Sequence, residues 1–330
     1  MLCSMILSKF SANLLSPQIL FFCLGAIGSL LRCELEFAPA VSKTLSLLLL
    51  LSIGFKGGMA LAESGVSSGV MASMGAAVCA AVLIPLWAFF ALKRRFGIAN
   101  AAGVAASFGA VSSVTFLTAC GLLLQSGIAF SGHMVAALAL MDSPAILTSI
   151  LLARSAANKD NQSDPSTRGW RQLSRDVHLN SSVFILVGSL AVGALCNSDT
   201  ASQMKPLIEN LFPAVLSVFL LDMGLTAGRK IDALRDLGRD VVLFAFGAPL
   251  VNAALGLGLA FAAGLSHGDA FLLVVLCASA SYIAAPAALR SALPEANPGI
   301  YLTLALALVF PFNLILGLPL YRGLVEAVLP

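Results

Sequence analysis

Acidic side chains are scarce inside the apolar stretches of this chain, and Asp142 stands out among them. It lies in Ala139-Leu140-Met141-Asp142-Ser143-Pro144. A carboxylate in an apolar setting is costly, and it commonly marks an ion pathway. The serine and proline that follow point to a locally opened helix with carbonyls free to join it. Asp142 is therefore read as a cation ligand or proton carrier, the alternative being a buried structural hydrogen bond. Two other segments suit an anion. Ser107-Phe108-Gly109-Ala110-Val111-Ser112-Ser113-Val114-Thr115 holds a glycine and four hydroxyls in nine residues. Ser279-Ala280-Ser281-Tyr282-Ile283-Ala284-Ala285-Pro286 ends on a residue that cannot donate a backbone hydrogen bond. Where a helix stops inside lipid, its freed N–H groups and positive dipole end face a negative ligand. Small and hydroxyl residues also let membrane helices pack closely, and that is the plainer reading of either segment alone.

The elements that must position these residues follow from composition. Of 330 residues, 59% are hydrophobic and 11% charged, and mean hydropathy is +0.95. A soluble domain carries about 25% charged residues, so lipid must be the solvent for most of this exterior. A helix crossing the hydrocarbon needs about 20 apolar residues. Ten spans are expected, at 17–32, 40–62, 68–92, 98–125, 132–153, 178–197, 206–228, 238–264, 268–292 and 299–326. The first has no recognisable cleavage site and is read as a mature helix. One long polar stretch, 154–177, acts as a cytoplasmic linker between residues 1–153 and 178–330, each with five spans.

Charge sets the expected orientation. With both termini outside, the inner loops and their flanks hold Arg32, Lys43, Lys93, Arg94, Arg95, Arg154, Lys159, Arg168, Arg171, Arg175, Arg229, Lys230, Arg235, Arg239 and Arg290, which is 15 of 19 basic residues. Lys9, Lys56, Lys205 and Arg322 remain outside. Basic residues accumulate on the cytoplasmic side, so the chain is expected in the cell's inner (plasma) membrane in that orientation. An odd number of spans per half means that two copies of one ancestor would sit inverted. Gly54-Phe55-Lys56-Gly57-Gly58 and Gly224-Leu225-Thr226-Ala227-Gly228 are both G-x-x-x-G, 170 residues apart. Leu-Ala-Leu at 138–140 and at 306–308 each precede a proline, Pro144 and Pro311. Chance similarity between Leu/Ala/Gly-rich helices is the bland alternative. Inverted repeats place their sites at interrupted helices near the bilayer midplane, and 107–115 and 279–286 fall in the fourth span of each half.

Other features weigh less. Asp222 in the seventh span could pair with Arg229. Lys56 is expected to snorkel to the headgroups, and His133, His178 and His267 to lie at the interface. The seven cysteines form no C-x-x-C and are read as small buried hydrophobes. A net charge of +3 gives no reason to expect nucleic acid as a partner. The sequence holds no H-E-x-x-H, no Walker motif and no G-x-G-D aspartate pair, so no enzymatic activity and no cofactor is expected.

At these residues the chain resembles the sodium-dependent bicarbonate transporters of the cyanobacterial type. The shared strings include Ser16-Pro17, Ile53-Gly54, Gly57-Gly58-Met59-Ala60, Phe108-Gly109-Ala110-Val111-Ser112, Met141-Asp142-x-Pro144-Ala145, Met223-Gly224, Ser279-x-Ser281, Leu289-Arg290 and Pro294-x-Ala296-Asn297-Pro298. The resemblance implies an all-α integral membrane fold of two inverted five-helix repeats with broken helices 4 and 9. It implies a core subdomain moving against a gate subdomain, each drawn from both halves, and a homotrimer. By position it implies bicarbonate or a similar small anion at Phe108, Gly109, Ala110, Val111, Ser112 and Ser113, facing Ser281, Tyr282, Ile283, Ala284 and Ala285. Sodium, the coupling ion, would be held by Asp142, Ser112, Ser113, Thr115, Ser279 and Ser281. The well-known members read Ser-Ser-Ser-Asp-Ile-Ser-Gly-Pro-Pro in the second break. Here Tyr282 stands at the acid position, Ala284 at the next serine and Ala285 at the glycine, so a carboxylate and a hydroxyl are missing. A PII-like regulatory protein is a partner in that family, and the 154–177 loop looks short for it here. The expected function is sodium-coupled symport of a small monovalent anion by alternating access. The alternatives are a sodium- or proton-coupled carrier of an organic anion, and a membrane sensor that binds an anion without moving it.

Overall fold

The computed structural model describes residues 16–64, 68–157, 181–196, 202–204, 206–231 and 238–329. Beyond Ala157 the expected linker lies outside the described residues, as does His178. The described chain is helical, with no strand. That follows from the solvent: hydrocarbon offers no partner to a backbone N–H or C=O, so each segment must satisfy its own.

Helices α1 (Pro17–Leu30) and α2 (Pro39–Ser64) are followed by α3 (Ser68–Gly109), α4 (Ser113–Gln125) and α5 (His133–Ala157). The second half holds α6 (Ser181–Leu195), α7 (Phe212–Lys230), α8 (Arg239–Ala262), α9 (His267–Ala278) and α10 (Ala284–Ala292). The last span, α11 (Pro298–Val328), includes two π-helical stretches, Leu304–Val309 and Asn313–Gly317. The expected third span and the start of the fourth are joined into α3. The joint is Gly97, whose φ of 74° is open to glycine and strained for other residues. This turn delivers Asn100 to the Asn297 backbone N–H, which donates to its Oδ1 at 2.8 Å.

Polar pairs mark the two faces. Arg95 pairs with Asp240, and Arg229 pairs with Glu36 at 2.9 Å. These pairs lie with Asn100 and Asn297 at one end of the bundle, here the basic face. At the other end the Ser131 N–H and hydroxyl donate to the Asp269 carboxylate at 2.6 and 2.7 Å, and Arg322 donates to Ser126 at 2.8 Å.

The halves interlock. α1 lies along α7, and α2 along α6. Glycine allows this closeness. A Cβ on Gly25 would strike the Leu221 carbonyl, and one on Gly224 would strike the Phe22 carbonyl. Gly58 meets Leu190 and Gly193 meets Phe55 in the same way. Without a hydrophobic driving force in lipid, such backbone approach is what van der Waals packing can use. The other helices gather behind: α3 packs on α5, α8 on α9, and α8 on the first π stretch of α11.

Candidate functional site

Two helices stop in mid-bundle. α3 ends at Gly109 and α4 begins at Ser113; α9 ends at Ala278 and α10 begins at Ala284. The two gaps cross and are bonded to each other. The Ser281 N–H donates to the Ser107 carbonyl at 2.7 Å, and the Ser107 hydroxyl donates to the Ser281 carbonyl at 2.6 Å. The Ser112 N–H donates to Ser279 Oγ at 2.9 Å. All four serines are buried, so each bond replaces one that lipid could not supply.

Each gap has a side chain from a neighbouring helix holding it open. At the first, the Val111 N–H donates to Asp142 Oδ1 at 3.0 Å. At the second, Asn313 Nδ2 donates to the Ala278 carbonyl at 2.8 Å, and Asn313 Oδ1 accepts from the Tyr321 hydroxyl at 2.8 Å. The restarting helices are capped alike. Ser112 Oγ accepts from the Thr115 N–H and hydroxyl at 3.3 and 3.1 Å, and Ser281 Oγ accepts from the Ala285 N–H at 3.3 Å. The first N–H groups of a helix have no intrahelical acceptor, so those of Ser113, Val114 and Ala284 are left to face what lies between the gaps. Pro286 sits in the first turn of α10, where a missing N–H breaks no bond. The interruption therefore precedes the proline instead of being caused by it.

Between the gaps lies a cavity of about 30 Å³. One wall is Val111 to Val114 and Ser281 to Ala284, with Leu138, Ala139 and Asp142 from α5. Ser46 and Leu50 of α2 and Leu186 of α6 close it from across. Of the residues expected at an anion, Val111, Ser112, Ser113, Ser281, Tyr282, Ile283 and Ala284 line this space. Phe108, Gly109, Ala110 and Ala285 do not. Phe108 turns toward α8 and meets Phe244 at 5.4 Å, and Gly109 is packed under Pro85, where a Cβ would collide. Of the expected sodium ligands, Asp142, Ser112, Ser113 and Ser281 line the cavity. Thr115 spends its hydroxyl on Ser112, and Ser279 donates its own to the Leu276 carbonyl at 2.9 Å. Ser107 belongs to the segment expected to break, and its bond to the Ser281 carbonyl is what the structure adds; Ser46, Leu50, Leu186 and Asn313 were not expected. Only Asn313 carried a signal, an amide inside an apolar span.

Two larger spaces are also present, the first sharing Ala139, Asp142 and Leu186 with this cavity. One of about 350 Å³ runs between α5 and α6 from Val135 to Asp142, lined mostly by Val, Ala and Leu. Another of about 340 Å³ lies toward the end of α4, with Gln18, Lys56 and Gln125 on its wall. Lys56 thus turns into the bundle, where snorkelling to headgroups was expected, because α1, α4 and α7 surround its end of α2. His133 is buried, not interfacial, whereas His267 is exposed. Among the described cysteines, Cys33 and Cys79 are exposed and only Cys120 and Cys277 are buried, so they are not uniformly core residues.

A helical membrane bundle whose two interrupted helices cross over a buried carboxylate defines a membrane transporter. The family model for the Na+-dependent bicarbonate transporter superfamily matches residues 17–326, and the chain belongs to that superfamily. No protein of curated function matches the chain.

Proposed function

We propose that this protein is a sodium-coupled symporter of bicarbonate or a similarly small monovalent anion, working by alternating access. The observation that carries this is the cavity where the two gaps meet, with helix-start amides on two sides and Asp142 on a third. Amides at helix starts favour negative charge. Asp142 supplies the oxygen that a hard cation prefers. A bound sodium neutralises the carboxylate, and the helix-start amides face the anion beside it, so neither ion is held alone in a low-dielectric space.

Size bears on which anion the space between the two gaps itself would hold. A cavity of about 30 Å³ holds two or three water-sized groups, at about 10–15 Å³ each. That suits an anion of a few heavy atoms. The pairing of α1 with α7 and α2 with α6 supports two inverted repeats, since an exchange of halves converts one pair into the other. On this reading α1, α2, α6 and α7 form the gate, and the helices carrying the gaps form the core.

The test is uptake of labelled bicarbonate by proteoliposomes with and without an inward sodium gradient, against a panel of competing anions. The gradient should accelerate uptake, and small planar anions should compete where larger carboxylates do not. Equal uptake with and without the gradient would remove sodium coupling. Binding by purified protein with no flux would make it a sensor.

A further inference from the structure

Asp222 on α7 is used by nothing described so far. It is buried, with 6% of its surface exposed, and its Oδ2 has no hydrogen-bond partner. Arg229 is near enough to act on it through space, but its hydrogen bonds go to Glu36 at 2.9 Å and to the Leu35 carbonyl at 3.2 Å. One hydroxyl is shown against Asp222. Ser42, in the first turn of α2, is its hydroxyl neighbour. The Tyr282 hydroxyl reaches α7 at the next residue, 3.7 Å from Met223 Sδ, with Ser112 beside it. Ser46 lies one turn along α2 from Ser42, on the same helix face, and lines the central cavity. A run of oxygens therefore leads from the cavity, through Ser46 and Ser42, to Asp222, on the side of the cavity toward the basic face.

From this placement we infer that Asp222, Ser42 and the Tyr282 hydroxyl form a second sodium site between gate and core. A buried carboxylate with one oxygen unpartnered suits a cation, and hydroxyl and carboxylate oxygens are the ligands a hard cation takes. The site rests on the symport reading and adds to it. The first sodium travels with the anion at Asp142. The second lies on a gate helix and a core residue together, so relative movement of the two would take it apart. Tyr282, where the resembling family has an acid, contributes a neutral oxygen, and the negative charge comes from the opposite wall.

The test is equilibrium binding of radioactive sodium to the purified protein, together with the sodium dependence of bicarbonate uptake in proteoliposomes. Wild type should bind about two sodium ions per chain, one at Asp142 and one at Asp222. Asp222→Asn should bind about one, with the half-saturating sodium for uptake raised roughly tenfold and the anion KM at saturating sodium little changed. Ser42→Ala should shift sodium dependence the same way by a smaller factor, which covers the case in which Asp222→Asn does not fold. One sodium per wild-type chain, or unaltered sodium dependence in the folded variants, overturns the second site. If wild type binds no sodium and its uptake ignores the gradient, the symport reading falls as well, so the two failures are distinguishable.

Discussion

The two helix gaps are alike in outline and opposite in chemistry. At the first, an acid accepts a hydrogen bond from the Val111 N–H. At the second, an amide donates to the Ala278 carbonyl, and its own oxygen is bound by Tyr321. The difference follows from which backbone group needs a partner. Near a restarting helix the free groups are N–H and the local field is positive; at a helix C-terminus they are C=O and the field is negative. A carboxylate suits the first position and a neutral donor the second. Asn313 has both ends occupied and serves only to hold the gap in shape. Asp142 gives one oxygen to the backbone and also lines the cavity, so it retains the capacity to bind an ion. Two gaps alike in outline thus carry different chemistry.

Removing the charge at the first gap should have the largest effect. Asp142→Asn keeps an oxygen for Val111 but loses the negative charge. Sodium-stimulated uptake should fall about 100-fold, the upper range for losing an interaction with a charged group, while the melting temperature in detergent stays close to wild type. Retained sodium stimulation would erase the contrast between the gaps. Asn313→Leu should act the other way round. It leaves the Ala278 carbonyl and the Tyr321 hydroxyl without partners, at about 1–3 kcal/mol each. The thermal unfolding midpoint should drop, and the surviving transport should keep its wild-type sodium dependence. A changed sodium dependence would show that the second gap also senses the cation. The smallest effect is expected where the gaps touch. Ser107→Ala removes one of their mutual hydrogen bonds, and side-chain hydrogen bonds in membranes average about 0.6 kcal/mol. Uptake should fall about two- to threefold, measured as initial rate.

What the sequence could reveal here was set by how local each signal is. An acid flanked by Leu, Met and Ala announces itself, so Asp142 was legible. So were the gaps, because serines and glycine inside an apolar span are a local departure. Their limits were less legible: Pro286 suggested a break at its own position, but it rests harmlessly in the first turn of α10. Contacts between distant segments leave no mark in a single sequence. Ser107 and Ser281 are 174 residues apart, and neither residue type names the other. For the same reason Arg229 looked available to Asp222 along the helix, whereas a loop residue, Glu36, claims it. Lys56 looked like a residue at a helix end, and only the arrangement of α1, α4 and α7 shows that this end faces inward.

The mutual bonds between Ser107 and Ser281 act as a rivet through the midpoints of two crossed beams. Beams so joined swivel or shift as one object far more readily than they come apart. On the proposed alternating-access reading, cargo lodged beside the rivet would be carried with it, and its immediate surroundings would stay constant while the walls slide past. Affinity at such a point is governed less by the crossing itself than by what the opposing helices present to it at each stage of the journey.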